Sequence, residues 1–371
     1  MSVPELQAGF LSLGQASARR AVVEAASRGR LDRTLLVHGP PGAGKGAFVD
    51  DLLALLLCHA AAPAERPCNA CRACRDARAR THPDLVVGSP ERWRESRAQG
   101  ESIVGVARRW LLETAGAPIA GPRRVLVVEG VDRANEQIQN VLLKALEEPT
   151  PRQVFVLTAA DPARVLPTIR SRSQPLRVGS VAHDELVAWL VDRERLPADQ
   201  ADALARIAQG LPGRAIGYAR QPALVEWRRR TQAELMSLLW RGPADRFSSV
   251  RDLLDQAPAQ SSAEIEAAPT EEGSRVSSAV QRAAALSVIE AWEGLARDLL
   301  VAVAGRPSQA GASQLLTGLD EAARALRPAE LVGFLKLLER IRDGLVQNAA
   351  PRLALEVAML SWPRPRRDAA R

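Results

Sequence analysis

Three short runs of apolar residues in the first half of the chain predict strands that are buried on both faces. The runs are Leu35–Val37, Val125–Val128 and Val154–Leu157. Apolar residues recur at helical spacing between them, over residues 47–57 and 137–146. Because strands and helices that alternate along a chain usually build a parallel sheet covered by helices, we predict an α/β fold, a doubly wound parallel sheet, for residues 1–178.

The second half of the chain lacks comparable strand signals. Residues 179–222 have the pattern of short helices and residues 223–362 that of longer ones, so an all-α region is predicted to follow the sheet. Within it, residues 256–280 carry almost no large apolar side chains. Such a segment buries too little surface to offset its ordering entropy, so we predict a disordered loop there and a frayed tail at 363–371.

The composition is that of a soluble globular protein, with 46% hydrophobic and 25% charged residues in a chain of 371. The formal net charge of +7 comes almost entirely from arginine and permits weak, salt-sensitive contact with DNA phosphates without establishing any. The sequence shows no secretory signal, and its apolar runs are far shorter than the roughly 18 residues of a membrane span. We therefore expect no membrane association, a cytoplasmic location and cysteines that are not paired in disulfides.

A phosphate-binding pattern follows the first predicted strand. Residues 39–46 are Gly-Pro-Pro-Gly-Ala-Gly-Lys-Gly, so the candidate phosphate-binding residues are Gly39, Gly42, Gly44 and Lys45. Backbone N–H groups of such a loop, with its lysine, can bind an anion. The next position normally carries a Ser or Thr hydroxyl that holds Mg²⁺, and here it is Gly46.

The acidic half of such a site is also incomplete. Glu129 and Gly130 follow the second predicted strand, so glycine stands where hydrolases of this kind have the acid that positions water. Asp132 lies two residues further on, and strand alternation predicts that it points elsewhere. We predict negligible ATP hydrolysis by the chain alone, and the residues leave nucleotide binding open.

All four cysteines of the chain lie close together in the sequence, at Cys58, Cys68, Cys71 and Cys74. Thiolates at this spacing can converge on one tetrahedral ion, so we predict a structural Zn²⁺ site in a small inserted module at about residues 56–80. An iron–sulfur cluster is the main alternative, because ferredoxins also contain a C-x₂-C-x₂-C run. His59 and His82 are predicted to be surface or packing residues and not ligands.

Two further motifs give the chain a specific resemblance. They are Leu-Leu-Lys-Ala-Leu-Glu-Glu-Pro at 142–149 and Thr-Ile-Arg-Ser-Arg-Ser at 168–173. With the cysteine insert after the phosphate loop, they make the chain resemble the AAA+ subunits of the bacterial clamp loader, and it is similar to the delta prime family of DNA polymerase III. The resemblance covers about residues 5–220 and is weaker beyond them, where residues 348–356 are similar to the end of the family's collar domain.

The resemblance implies an AAA+ module, a helical lid at 179–222 and a helical collar for oligomerisation at 223–362. It also implies a hetero-pentamer with gamma/tau and delta subunits, which opens the sliding clamp and loads it onto primed DNA. Members of the delta prime family commonly have a degenerate nucleotide site. This agrees with Gly46 and Gly130.

The resemblance further implies that Arg172 is delivered to the ATP site of the neighbouring subunit, where it acts in trans. The family usually has Cys after this arginine, and here the residue is Ser173. Arg214 stands where ATPase relatives have a second sensor, and we expect it to be structural. The polar sensor expected after the next core strand falls near Ala159, with Thr158 one residue early.

Two other functions are compatible with parts of the sequence. One is an ATP-hydrolysing clamp-loader subunit of the gamma/tau kind, against which Gly46 and Gly130 argue. The other is a zinc-stabilised nucleic-acid-binding module unrelated to the polymerase. Its arginines would be expected to form a stripe with aromatic residues, whereas they are scattered here and aromatic residues make up only 4% of the chain.

Overall fold

The polypeptide divides into two units, residues 1–216 and 217–371. A computed structural model describes residues 9–28, 31, 33–148, 150–256, 273–305, 318–346 and 349–365. None of the helices within these ranges combines the length and the apolar character that a bilayer span requires.

A five-stranded sheet forms the centre of the first unit. Its strands are β1 (Thr34–His38), β2 (Leu85–Gly88), β3 (Arg124–Val128), β4 (Gln153–Ala159) and β5 (Gln174–Arg177). They are arranged in the order β2-β3-β4-β1-β5, and every neighbouring pair is parallel. The predicted parallel sheet is therefore confirmed, and the three predicted strands are its three central strands.

Helices surround this sheet. Those of the first unit are α1 (Ala16–Ser27), α2 (Lys45–Leu57), α3 (Arg72–Arg78), α4 (Pro90–Glu95), α5 (Ile103–Thr114), α6 (Glu136–Glu147), α7 (Pro167–Ser171), α8 (His183–Arg193) and α9 (Ala198–Ala208), and α10 (Pro212–Arg220) begins in it. Leu35 and Val37 of β1 belong to the apolar cluster that includes α1 and α2, whereas Leu36 belongs to the cluster that includes α5 and α6. Both faces of the sheet are buried, which explains why its central strands are continuous apolar runs.

The two edge strands have weak sequence signals. In β2, the side chains of residues 85–87 are only half-buried. In β5, Leu176 is the one buried residue, and Pro175 lies beside it. Proline is tolerated in edge strands because it cannot donate a hydrogen bond to the next strand.

The second unit is helical, as predicted. Its helices are α11 (Pro222–Ser237), α12 (Pro243–Gln256), α13 (Gly273–Val303), α14 (Leu319–Ala325), α15 (Pro328–Val346) and α16 (Pro351–Ser361). Trp292 of α13 is fully buried in the core, where the rings of Phe334 and Trp362 meet edge to face with centroids 4.8 Å apart.

The predicted loop at 256–280 differs in part from the structure. Residues 257–272 lie outside the described residues, but α13 already begins at Gly273. The last part of the predicted loop is therefore helical, because extending an existing helix costs much less than nucleating a new one. Residues 366–371 of the predicted tail also lie outside the described residues.

A buried arginine, Arg246, joins the ends of two helices in the second unit. Its side chain is only 3% exposed. It donates hydrogen bonds to five backbone carbonyl oxygens, those of Leu238, Leu239, Met359, Trp362 and Pro363, at 2.7–3.4 Å. These carbonyls lie at the C-terminal ends of α11 and α16, where carbonyl groups lack partners within the helix and favour a cation.

Candidate phosphate-loop and metal sites

The phosphate loop connects β1 to α2, as its sequence pattern predicts. Gly42 has a φ of 80°, in the left-handed region that residues with a side chain rarely adopt. A side chain at Gly39 would not fit, because its Cβ would lie 1.8 Å from the carbonyl oxygen of Val178. These two glycines are therefore required by the path of the backbone.

Lys45, the first residue of α2, is hydrogen-bonded within the loop itself. Its Nζ donates to the carbonyl oxygen of Gly39 at 2.7 Å and to that of Pro40 at 3.0 Å. Burial lowers the pKa of Lys45, and the nearby carboxylate of Asp132 opposes this shift. The ammonium group that would contact a phosphate is thus turned toward carbonyl groups of its own loop.

The space around Gly46, where the hydroxyl is missing, is not filled by other described residues. A Cβ added at Gly46 would have no atom of the described residues within 4 Å, apart from its immediate surroundings in the chain. Packing therefore does not exclude a Ser or Thr side chain here. The loop lacks this magnesium ligand because residue 46 is glycine, and not because the space is filled.

Glu129, the first residue after β3, is paired with Arg80. Nη1 of Arg80 lies 2.5 Å from Oε1 of Glu129, and Nε of Arg80 donates to Oδ1 of Asp50 at 2.9 Å. Burial would lower the pKa of Arg80, but the bonds to these two carboxylates raise it above its usual value. The acid that could contact a metal ion is therefore already bonded to a cation of the protein.

Gly130 has a φ of 65°. A Cβ at this position would lie 2.4 Å from the guanidinium carbon of Arg133, which is itself bonded to Glu91. The N–H of Gly130 donates to Oγ1 of Thr158 at 2.9 Å. A glutamate at position 130 would thus need both an unfavourable backbone conformation and a displaced arginine.

Asp132 is buried and joins the segments that follow β3 and β4. Its Oδ2 accepts hydrogen bonds from the N–H groups of Ala160 at 3.0 Å and Asp161 at 3.1 Å. These bonds direct one side of the carboxylate to the backbone beyond β4. They give Asp132 a structural role at this edge of the sheet.

The first turn of α10 lies against the phosphate loop. The N–H of Gly213 donates to the carbonyl oxygen of Gly42 at 2.8 Å. A Cβ at Gly42 would lie 3.3 Å from the Cβ of Arg214. The structure therefore places Arg214, the candidate second sensor, directly beside the loop.

The four cysteines come together at the other end of α2. Cys58 follows that helix, Cys71 caps the N-terminus of α3, and Cys74 lies within α3. All four sulfur atoms lie within 4.8 Å of one another, and those of Cys68 and Cys74 are 4.0 Å apart. Four sulfurs bound tetrahedrally at about 2.3 Å from one ion would be about 3.8 Å apart, so the donor set fits Zn²⁺.

Hydrogen bonds tune the thiols of this cluster. Burial raises the pKa of Cys71, but backbone bonds at His59 and Cys74 and bonds from neighbouring thiols outweigh it and hold the pKa at about 6. Burial raises the pKa of Cys58 and Cys74 above the usual value. A bound cation would favour the thiolate form of all four groups.

The histidines near the cluster are not part of the thiol group that could hold an ion. Among the described residues, the candidate metal ligands here are the cysteines alone. His82 is 4% exposed, and its Nδ1 accepts a hydrogen bond from the N–H of Asp84 at 3.1 Å. His82 is therefore a packing residue, and the side chain of His59 is exposed.

Arg172 lies between α7 and β5, about 43% exposed. Its Nη2 is 3.1 Å from Oε1 of Glu147, and its Nη1 donates to the carbonyl oxygen of Thr168 at 3.2 Å. The next residue, Ser173, is buried and donates from Oγ to the carbonyl oxygen of Ile169 at 2.7 Å. The serine side chain is thus fully used within the turn, while the arginine reaches the surface.

Two arginines that were not predicted from the sequence bind the two aspartates of α2. Arg80 bonds Asp50, and Arg78 bonds the fully buried Asp51 at 2.7 Å. The available signal was the pair of adjacent aspartates within the otherwise apolar helix α2, because buried carboxylates require partners. The sequence does not indicate which arginines would supply them.

Comparisons with known proteins place the chain among subunits of one polymerase. The family described as DNA polymerase III, delta subunit, matches residues 14–182. The DNA polymerase III subunit delta' of Pseudomonas aeruginosa is 34% identical over 183 residues, which are 48% of this chain and 52% of that protein. The Escherichia coli subunit delta' is 30% identical over 237 residues, 62% of this chain and 67% of that protein.

A related subunit matches over a longer part of the chain. The Escherichia coli DNA polymerase III subunit tau is 27% identical over 326 residues, which are 86% of this chain and 46% of that protein. This chain therefore spans about half of the length of the Pseudomonas and tau relatives and two thirds of the Escherichia coli subunit delta'.

Proposed function

This chain belongs to the DNA polymerase III subunit delta' family, and we propose that it is a clamp-loader subunit that does not itself hydrolyse ATP. In this role it joins gamma/tau and delta subunits in a hetero-pentameric ring that opens the sliding clamp and loads it onto primed DNA. In this proposal residues 1–178 are an AAA+ module, residues 179–222 are its helical lid, and residues 223–362 are the collar that assembles the ring.

One observation carries the proposal that hydrolysis is absent. The hydroxyl that would hold Mg²⁺ is missing at Gly46, the acid that would position water is missing at Gly130, and the remaining acid, Glu129, is bonded to Arg80. Metal coordination and water positioning act together in phosphoryl transfer, so the loss of both removes most of the rate enhancement. The loop retains Lys45 and its N–H groups, which leaves phosphate binding as a separate property.

The catalytic contribution that we propose is Arg172, supplied in trans to the ATP site of a neighbouring subunit. Its half-exposed position and its bond to Glu147 support this role. An ion pair at this exposure contributes only about 0–1 kcal/mol. Arg172 can therefore exchange Glu147 for a phosphate group at little cost.

We propose that the cysteine module binds one structural Zn²⁺ through Cys58, Cys68, Cys71 and Cys74. The close approach of four thiols supports a closed site, which leaves no position for a substrate. A zinc content of one ion per chain in a colourless protein would support this assignment. An iron–sulfur cluster would instead give a coloured protein.

The trans role of Arg172 is tested in a reconstituted loader. Arg172→Ala should leave the assembly of the ring intact and lower ATP turnover at the adjoining site by about 10³-fold or more, as for other arginines supplied in trans. The matched control is Arg170→Ala, which removes an exposed arginine from α7, the short helix just before Arg172. Equal turnover by the Arg172→Ala and Arg170→Ala loaders would refute the assignment.

The alternative is an ATP-hydrolysing subunit, which the similarity to tau over 86% of the chain favours. It predicts steady ATP turnover by the isolated chain and its loss in Lys45→Ala. Our proposal predicts background turnover for both proteins. Reconstitution and the isolated assay therefore separate the two functions.

A further inference from the structure

We propose that the guanidinium group of Arg80 takes the place of a divalent cation beside Glu129 and keeps metal ions out of the phosphate-loop site. This extends the proposed loss of ATP hydrolysis, but it concerns metal binding and depends on a different set of contacts. The residues present do not fit the Mg²⁺ ion that a phosphate loop of this pattern normally uses. The contacts of the Arg80 side chain explain what replaces the Mg²⁺ ion.

The side chain of Arg80 bridges two carboxylates from different elements. Nη1 contacts Glu129 at the end of β3, and Nε contacts Asp50 on α2. Carboxylate oxygens are the ligands that Mg²⁺ and Mn²⁺ prefer. Arg80 therefore already supplies a counter-charge to both Glu129 and Asp50.

The backbone at Arg80 has a conformation that residues with a side chain rarely adopt. Helix α3 ends at Arg78, and Arg80 has a φ of 57°. The N–H of Arg80 donates to the carbonyl oxygen of Ala77 at 3.1 Å. The N–H of Thr81 donates to the backbone carbonyl oxygen of Asp76 at 2.8 Å. This is a helix end with a left-handed residue, a position that glycine usually occupies. An arginine here adopts a disfavoured backbone conformation, and its bonds to Asp50 and Glu129 offer the compensation.

The cysteine module holds this arginine in place. Cys71 and Cys74 fix the start of α3, the helix that leads to Arg80. At its other end, Arg78 bonds the buried carboxylate of Asp51 and the carbonyl oxygen of Gly9. Helix α3 therefore has side-chain bonds at both ends, and Arg80 follows two residues after it.

The test is the binding of Mn²⁺, a paramagnetic substitute for Mg²⁺, to the full-length, zinc-loaded chain, followed by electron paramagnetic resonance. The informative variant is Arg80→Gly, because glycine relieves the left-handed backbone while removing the cation. We expect its Mn²⁺ affinity to exceed that of the wild type by at least about tenfold, since a unit charge is removed from beside two carboxylates. The matched control is Arg72→Ala, which removes an exposed arginine from the same helix and should leave Mn²⁺ binding unchanged.

A second substitution locates the ion. In Arg80→Gly combined with Glu129→Gln, the gained affinity should be lost, whereas circular dichroism should show a folded protein in each case. The proposal is overturned if Arg80→Gly binds Mn²⁺ no better than the wild type, or if the gain survives Glu129→Gln. These results do not depend on ATP turnover, so they can fail while the proposed function stands, and the reverse also holds.

Discussion

The phosphate loop and the cysteine cluster lie at the two ends of the same helix, α2, and their polar groups are used in opposite ways. At the start of the helix, Lys45 is bonded to loop carbonyls, and Glu129 nearby is bonded to Arg80. At its end, four thiols converge on one point, where they contact one another and backbone N–H groups. The four converging thiols could hold a metal ion, whereas Lys45 and Glu129 already have partners within the protein.

Among the experiments that compare the two ends of α2, removal of zinc from the cysteine cluster should have the largest effect. Structural zinc contributes on the order of 10 kcal/mol to small modules, so Cys74→Ser or chelation should open residues 58–80. We expect amide hydrogen exchange there to accelerate by at least about 100-fold, which corresponds to ~2.7 kcal/mol. The sheet should stay protected, because its core is formed by other residues.

Lys45→Ala, at the other end of α2, is the control for that experiment. It should leave exchange in residues 58–80 at the wild-type rate. If both substitutions open the module equally, the two ends of the helix are not independent. If neither does, the cysteine cluster holds no structural ion.

An intermediate effect is expected in the order in which the metal-free thiols react. Because hydrogen bonds hold the pKa of Cys71 at about 6, this thiol should be mostly thiolate at pH 7 and react first with iodoacetamide. Burial raises the pKa of Cys74, so it should react last. Mass spectrometry over time would show this order, and the rate at Cys71 should fall as the pH drops through 6.

Zinc-loaded protein provides the comparison for the alkylation experiment. Its four thiols should all be protected, because each sulfur would be bound to the ion. Cys74 reacting before Cys71 would contradict the hydrogen-bonding pattern of the cluster. Alkylation at equal rates with and without zinc would contradict a shared ion.

The smallest effect is expected from Gly46→Thr, which restores the missing hydroxyl. The position has room for the side chain, so the free energy of unfolding should change by no more than about 0.5 kcal/mol. ATP turnover should stay at background, because Gly130 and the Arg80–Glu129 pair are unchanged. Thermal unfolding and an ATPase assay measure both expectations, and steady turnover by Gly46→Thr alone would show that one hydroxyl separates this site from an active one.

The sequence predicts the centre of this fold well because burial on both faces leaves a plain signal. The runs that became β1, β3 and β4 consist almost entirely of Val, Leu and Phe. The edge strands β2 and β5 escaped prediction because most of β2 is only half-buried and two of the four residues of β5 are exposed. In β5, Leu176 alone is buried, and a single apolar residue beside a proline has no periodicity to detect.

The candidate sites divide in the same way. The cysteine cluster could be predicted because its members are close in the sequence and share one chemistry. The partner of Glu129 could not, because Arg80 lies 49 positions away along the chain and resembles any other surface arginine in sequence. The start of α13 at Gly273 was missed. The composition of residues 256–280 indicates how little apolar surface they can bury, but it does not indicate that their last part continues the helix that follows.

Arg246 makes residues 359–363 part of the second unit's interior. Three of the carbonyl oxygens that accept hydrogen bonds from its guanidinium group belong to Met359, Trp362 and Pro363. A protein shortened before Met359 would keep the guanidinium but lose these acceptors, and an uncompensated buried charge typically costs 3–5 kcal/mol. Tags and truncations are therefore better placed after Pro363 than before it.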